Sequence, residues 1–392
     1  MINELSGFKP NIAIPPGETL KEYLESVGMA QVILAKRIGL APKTVNEIIN
    51  GKAPITAETA IKLESIFITP SSFWNNLEAN YQETKARLED EKRITEEIEI
   101  ARKIPYSSIA KQGFLSPANN AVTKVIRLRT FFGVSSLHYI PDLHTVAFRI
   151  EKDNASSYAL AAWLQMGEIM ARNLKTAPYE EKKLRSLIPA FRELTLQPPE
   201  EFQPQLVSLC ASCGIALVLV PHLPKTYAQG ATRWLSKDKV LIQLSLRRKY
   251  CDIFWFSFFH EVGHILLHGK KQTFVEMEVR DEIEEEADHF VAEKLIPTRA
   301  YQEFINRSSI DNQRIIRFAK SIQIHPGIVV GKLQHDTRVN YNRFNDLRTK
   351  FIWSWPIRQS TGRVSLPVES LNIDVERNGL VMKANELSTE SS

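Results

Sequence analysis

Between residues 17 and 81 the apolar positions fall into short runs at helical spacing, separated by turn residues, with a new run about every ten to fifteen residues. That pattern predicts a small all-helical domain. From Glu83 to Lys103 the chain is dense in Glu, Lys and Arg, and Leu88, Ile94, Ile98 and Ala101 form a narrow apolar stripe. So thin a stripe predicts a solvated connecting helix, ended at Ile104-Pro105 because the residue before a proline is pushed out of helical geometry. Farther on, large aromatic anchors (Phe131-Phe132, Trp163) mark helices, while β-branched runs at Thr145 to Ile150, Ile215 to Val220 and Val240 to Leu244 predict strands. Helical spacing resumes to about Trp355, and Leu366 to Ser392 ends in a polar Ser, Thr and Glu tail expected to fray. The predicted fold class is α+β, mainly helical. It comprises an all-α domain over 1–81, a connecting helix over 82–104, a larger domain with a small β-sheet over 105–355, and a partly flexible C-terminal extension over 356–392.

Within the first domain, Ala35, Gly39, Val45 and Ile48 stand in the order a helix-turn-helix needs: a small residue at the helix crossing, a turn residue tolerant of positive φ, and apolar positions facing the first helix. Ala41-Pro42 opens the second helix with a proline at its first position, and Asn50-Gly51 closes it. Its outward face is then Lys43, Thr44, Asn46, Glu47 and Asn50, side chains able to reach base edges and phosphates in a major groove, with Lys36, Arg37 and Lys52 flanking it on the backbone. The opposing reading is a helical protein-interaction module that does not touch DNA.

The densest chemistry lies at His260-Glu261-Val262-Gly263-His264. Histidines four residues apart lie one above the other on a helix, so both imidazoles can reach one Zn²⁺ at about 2.0 to 2.1 Å. Glu261 then stands beside the open coordination position, placed to take a proton from water. Aromatic residues before this motif and Ile265-Leu266-Leu267 after it predict a helix buried almost all round. Downstream, Glu284, Ala287, Asp288, Val291 and Leu295 share one helix face, so Glu284 is assigned as third ligand and Asp288 as the acceptor that orients a histidine N–H. Glu282, Glu285 and Glu286 read as solvated, and His268 as a helix-end residue rather than a ligand. His325, His222, His335 and Tyr250 are candidate donors to a tetrahedral oxyanion, with nothing in the sequence to choose among them.

Both regions resemble known families. The stretch from Pro16-Gly17-Glu18-Thr19-Leu20 through Gly51-Lys52 to Phe73-Trp74-Asn75-Asn76-Leu77 is similar to the HigA-type antitoxin branch of the XRE helix-turn-helix repressors. This resemblance implies a homodimer on a double-stranded DNA operator and a HigB-like toxin as a further partner. The motif from His260 to His268, the run Glu284-x-x-Ala287-Asp288-x-Phe290-x-Ala292 and Leu295-Ile296-Pro297 resemble the ImmA/IrrE zinc metallopeptidases. The likeness extends through Gly230-Ala231-Thr232, Gln243-Leu244-Ser245 and His325-Pro326-Gly327, with Val291 standing where many members have Ala. It implies a zincin-like fold and an endopeptidase that cleaves a repressor or antitoxin protein. Its zinc, with Mn²⁺ as the alternative ion, would be held by His260, His264 and Glu284, with Glu261 as base. A HigA-like antitoxin or repressor whose zinc-peptidase fold serves only as a sensor or partner-binding scaffold is the alternative.

Composition sharpens parts of this picture. At 392 residues, with 43% hydrophobic and 24% charged residues, the chain is globular and too long for one core. It has no apolar run of membrane-spanning length, and Met1 to Pro16 lacks the pattern of a secretory signal, so a cytoplasmic protein without a membrane partner is expected. Three cysteines suit a reducing compartment, and Cys210-x-x-Cys213 reads as a buried helix end rather than half a zinc knuckle. The net charge of +5 is unevenly placed. Lys332 to Arg363 holds seven basic residues against two acidic, whereas Gly17 to Tyr81 holds six against seven. DNA binding by the first domain must therefore rest on local geometry, and the C-terminal basic stretch is a rival site.

Overall fold

The computed structural model describes residues 11–145, 147, 155–268, 274–275, 282–306, 309–354 and 381–384. The described residues form two compact units, one up to Ile98 and one from Glu99 onward.

In the first unit, α1 (Pro16–Ser26), α2 (Gln31–Ile38), α3 (Pro42–Ile49) and α4 (Ala57–Phe67) precede the start of α5 (Ser71–Lys103). Gly39 caps α2 at φ 67, and α3 has proline at its first position and Asn50 as its C-cap. At the foot of this motif Gly17 lets α1 touch α3: a Cβ there would sit 2.0 Å from the Ile48 carbonyl oxygen. Leu20, Leu34, Ala35, Val45, Ile48 and Leu63 close the core around a fully buried Trp74. The Tyr23 and Phe73 rings stand edge-on to that indole, each with centroids 5.3 Å away. Because Trp74 lies on α5, the expected connecting helix starts earlier than Glu83, and one 33-residue helix runs from the first core into the polar stretch. No breaker separates Trp74 from Glu83, and strong helix formers carry the same turn onward.

The second unit continues with α6 (Tyr106–Lys111), α7 (Ala121–Phe132), α8 (Ile140–Leu143), α9 (Ser157–Asn173), α10 (Glu181–Leu194) and α11 (Pro199–Ser212). Then come β1 (Ile215–Leu219), β2 (Gly230–Ser236), β3 (Lys239–Leu244), α12 (Cys251–Leu267), β4 (Phe274–Val275), α13 (Glu282–Leu295), α14 (Thr298–Ile305), α15 (Asn312–Ser321) and α16 (Pro326–His335). The sheet order is β1-β3-β2-β4, with β1 and β3 parallel and β2 antiparallel to its neighbours. The unit is thus mainly helical α+β with a small sheet, as the pattern predicts. Helix α9 covers one face: Gln243 on β3 donates to the Trp163 carbonyl at 2.7 Å, and the Trp163 indole donates to Val220 at 3.2 Å. The other face packs on α12, whose Phe254, Trp255, Phe258 and Phe259 join Val240, Ile242 and Leu244 in the core. Helix α12 is buried on nearly every side, so its polar residues must be held by specific partners.

Several expectations change. Strand β2 lies outside the predicted runs, because it opens on glycine and carries Thr232 and Arg233. Of the run Thr145 to Ile150, only Thr145 and Ala147 are among the described residues, and both are helical rather than extended. Within the tail, Val381–Ala384 forms β6, paired antiparallel with β5 (Phe351–Ser354), while the remainder of 355–392 lies outside the described residues. The basic stretch is partly spent inside the fold: Arg348 makes two bonds to buried Asp252, at 3.0 and 2.7 Å, and Lys332 pairs with Asp336 at 2.9 Å. Cys210 and Cys213 are buried free thiols at the end of α11, as the sequence suggests.

Candidate metal centre and DNA-reading face

Two helices build the centre. On α12, His260 and His264 sit one turn apart with ring centroids 4.6 Å apart, and both are almost fully buried. Helix α13 lies close enough to join them because α12 has Gly263 at the crossing; a Cβ there would meet Phe290 at 3.3 Å and the Ala287 Cα at 3.5 Å. The Glu284 carboxylate then reaches His260 Nε2 at 2.8 Å and His264 Nε2 at 3.4 Å, and the two imidazole Nε2 atoms are 2.9 Å apart. The donor atoms of His260, His264 and Glu284 all lie within 4.8 Å of one another.

That donor set fits a zinc-type ion. Tetrahedral bonds of about 2.0 to 2.1 Å imply ligand separations of about 3.3 Å, which the three distances bracket. Asp288, one turn after Glu284, meets His260 Nδ1 at 3.0 Å with most of its side chain exposed. A carboxylate there favours the proton on Nδ1 and leaves the Nε2 lone pair toward the centre. Burial would raise the pKa of Glu284, but the His260 and His264 imidazoles beside it outweigh burial and hold the carboxyl down at about 2. Burial likewise pushes His264 below its usual value, toward the neutral imidazole a metal needs.

Glu261 is fully buried on the same turn of α12 and faces β2. A Cβ on Gly230 would stand 2.4 Å from Glu261 Oε1, so a larger residue there would displace the carboxylate from its present position. Thr232, on the same face of β2, donates to the Glu261 carbonyl at 3.4 Å. The motif Gly230-Ala231-Thr232 therefore supports the central acid, a role that sequence spacing alone does not assign.

Other candidates fall elsewhere. His268 caps α12 and meets Glu286 at 3.6 Å, with Glu286 largely exposed. His325 is the N-cap of α16, contacts Cys251 at 3.5 Å and takes the Gly327 N–H at 3.0 Å, while Tyr250 is the N-cap of α12 beneath Arg348. Both therefore sit at the start of α12, nine to ten residues before His260 and so about 13 to 15 Å along its axis at about 1.5 Å per residue, away from the His260 turn. His335 pairs with Asp336 at 3.2 Å.

In the first unit α3 presents its polar face outward. Lys43, Asn46 and Asn50 are exposed and Thr44 and Glu47 half-buried, while Val45, Ile48 and Ile49 face the core. Lys43 pairs loosely with Glu47 at 3.8 Å, and Asn50 donates to the Asn46 side chain at 3.0 Å. Lys36, Arg37 and Lys52 are exposed beside it.

These arrangements define a helix-turn-helix unit joined to a metallopeptidase-like unit. Residues 20–74 match the helix-turn-helix family profile and residues 253–334 that of the IrrE N-terminal-like domain. Virulence-associated protein I of Dichelobacter nodosus is 39% identical over 70 residues, covering 18% of this chain and 65% of that relative's length. Antitoxin HigA-1 of Vibrio cholerae serotype O1 is 32% identical over 88 residues, covering 22% of this chain and 83% of that protein. Among solved structures, the Pseudomonas aeruginosa antitoxin HigA with higBA promoter is 33% identical, with a TM-score of 0.21 and coverage of 22% of this chain and 95% of that one. The chain belongs, through its first unit, to the XRE-type helix-turn-helix family with HigA-like antitoxin relatives, and its second unit carries an IrrE/ImmA-like peptidase domain. No helix among the described residues is long and apolar enough to cross a membrane.

Proposed function

We propose that the chain is a cytoplasmic DNA-binding regulator fused to a zinc-dependent endopeptidase that hydrolyses a repressor or antitoxin protein. The functional division is 1–81 for DNA, 82–104 as connector, 105–355 for peptidase chemistry and 356–392 as extension. The observation that carries the enzymatic half is the meeting of His260, His264 and Glu284 beside a buried Glu261 packed against Gly230. His260, His264 and Glu284 would hold Zn²⁺, or Mn²⁺ in its place. When bound, the ion supplies Lewis acidity toward water and the scissile carbonyl. Glu261 accepts the proton of the attacking water and returns it to the leaving amine. Asp288 holds the His260 ring in the tautomer and orientation required.

In the first unit, Lys43, Thr44, Asn46, Glu47 and Asn50 would read an operator, and Lys36, Arg37 and Lys52 would hold its phosphates. The helix-turn-helix profile matched over residues 20–74 supports double-stranded DNA as partner. A homodimer on a two-fold operator follows because one such helix reads few base pairs. The HigA likeness, confined to the first unit, also favours a second reading: an antitoxin with a HigB-like toxin partner, in which the zinc-peptidase fold is a non-catalytic sensor or scaffold.

One variant separates the two readings. Incubated with zinc and with repressors encoded nearby, the wild-type protein should yield discrete fragments. Glu261→Gln should retain the metal and yield none, because an amide does not accept the proton. Equal cutting by both proteins removes Glu261 from the base role, and no cutting by metal-loaded wild type favours the scaffold.

A further inference from the structure

The parallel strands β1 and β3 end side by side, with Leu219 in register with Leu244, so the chain leaves both at one end of the sheet. The segments that follow, 220–229 and 245–250, and the segment 348–350 contain no acidic residue. Specific contacts tie all three together. Arg247 donates to the Tyr227 carbonyl at 3.1 Å and lies over the Tyr227 ring. The Lys249 carbonyl accepts the Phe351 N–H at 2.6 Å, and Lys350 pairs with Tyr250 through the backbone and holds its ammonium 5.4 Å from the centre of that ring. Desolvation, then the positive charges of Arg247 and Lys249, lower the pKa of His222, which places that imidazole in the same field.

What sets this cluster apart is how it is displayed. Arg348 is spent on Asp252, but Lys225, Lys249 and Lys350 are exposed, and among the described residues none of these three forms an ion pair. Lys225 at φ 67 and Lys249 at φ 59 stand in left-handed backbone, which favours glycine or asparagine. Folding alone would be served better by either of those residues at an exposed left-handed position. What lysine adds there is charge. The first unit carries the complementary deficit: it matches a helix-turn-helix profile, yet Gly17 to Tyr81 holds six basic residues against seven acidic. Neutralised phosphates supply the sequence-independent part of DNA affinity, and a unit with no surplus of positive charge supplies little of it beyond a few local contacts.

We propose that Lys225, Arg247, Lys249 and Lys350 form a second DNA contact, which binds the backbone phosphates of a duplex without reading its bases. Lysine ammonium groups act on phosphate as point charges, which suits contact without sequence readout. Arg247, half-buried and fixed against Tyr227, adds a guanidinium whose position is set in advance. The partner is inferred from DNA binding by the first unit, on which the proposal rests, whereas every residue of the contact belongs to the second.

Titrating a labelled duplex of random sequence with the full-length protein over a range of salt concentrations tests it. A variant carrying Lys225→Asn, Lys249→Asn and Lys350→Gln should bind at least about tenfold more weakly at low salt, and the slope of log affinity against log salt should flatten by about 2.7, or about 0.9 for each lost phosphate. Asparagine tolerates left-handed backbone, so the melting temperature should hold. If the triple variant melts early, Lys350→Gln alone should flatten the slope by about 0.9, and Lys350→Arg should keep it. A folded triple variant with the wild-type slope overturns the proposal, and weaker binding by Lys52→Ala in the same assay would then leave the first unit's reading standing. Loss in the triple variant but not in Lys52→Ala supports the second contact and removes the first unit's phosphate contact instead. A wild-type protein that binds no duplex overturns the proposal, and polyglutamate binding that the triple variant loses would then assign the cluster to an acidic protein segment.

Discussion

The two candidate sites sit on opposite sides of their own cores. On α3 the residues proposed to read DNA are those that packing leaves over: Val45, Ile48 and Ile49 hold the helix, and Lys43, Asn46 and Asn50 stand in water. On α12 the relation is reversed, because His264 and Glu261 are fully buried and form part of the core themselves. The contrast teaches that an exposed reading face can change without cost to its fold, whereas a buried polar centre couples chemistry to stability.

The largest expected effect lies at the metal. Chelation should lower the stability of the second unit by about 4 kcal/mol where zinc had been present at about a thousand times its dissociation constant. His264→Ala should lose the ion and become insensitive to chelator in the same thermal melt. If chelation leaves the melting temperature of the wild-type protein unmoved, the coupling between centre and core is absent.

A smaller effect belongs to another buried polar residue of that unit. Burial, aided by the Arg233 charge, lowers the pKa of His144 from 6.5 to about 4, although Glu168 and Gln165 oppose the shift. The folded protein therefore resists a proton that the unfolded chain accepts. Stability is full above about pH 6.5 and falls as the pH drops toward 4, by about 3 kcal/mol in all. Denaturant melts across that window should show the loss, and His144→Gln should flatten it; an unchanged slope would sever this group from acid sensitivity.

On the exposed face the effects are smallest and should leave the fold alone. Asn46→Ala should relax preference at one operator position at a cost of about 1 to 3 kcal/mol in binding, and Lys52→Ala should weaken all sequences alike and flatten the salt dependence. Both should shift stability by less than about 0.5 kcal/mol. Binding measured with residues 104–392 but not with residues 1–103 would move the interaction to the C-terminal basic stretch.

How much of this is legible along the chain follows from the range of the contacts involved. The helix-turn-helix shows in local chemistry, with Gly39 at φ 67 and proline opening α3. The proposed metal ligands and Asp288 are legible for the same reason, since the spacings His260 to His264 and Glu284 to Asp288 are single helical turns. Strands β4 and β6, of two and four residues, owe their existence to partners far along the sequence and leave no run to read. The same holds for Gly230, whose importance is the Glu261 carboxylate packed against it, and for Arg348, whose charge is absorbed by Asp252. The early start of α5 is hidden differently, since a single uninterrupted helix serves a core at one end and solvent beyond it.

Zinc X-ray absorption on the metal-loaded full-length protein tests the central claim most directly. Convergence of His260, His264 and Glu284 predicts a first shell of nitrogen and oxygen only, at about 2.0 to 2.1 Å, with the multiple scattering of two imidazoles, and Glu284→Gln should lower occupancy. Sulfur scatterers near about 2.3 Å would place the ion on cysteines instead, and a protein that takes up no zinc would contradict the centre altogether.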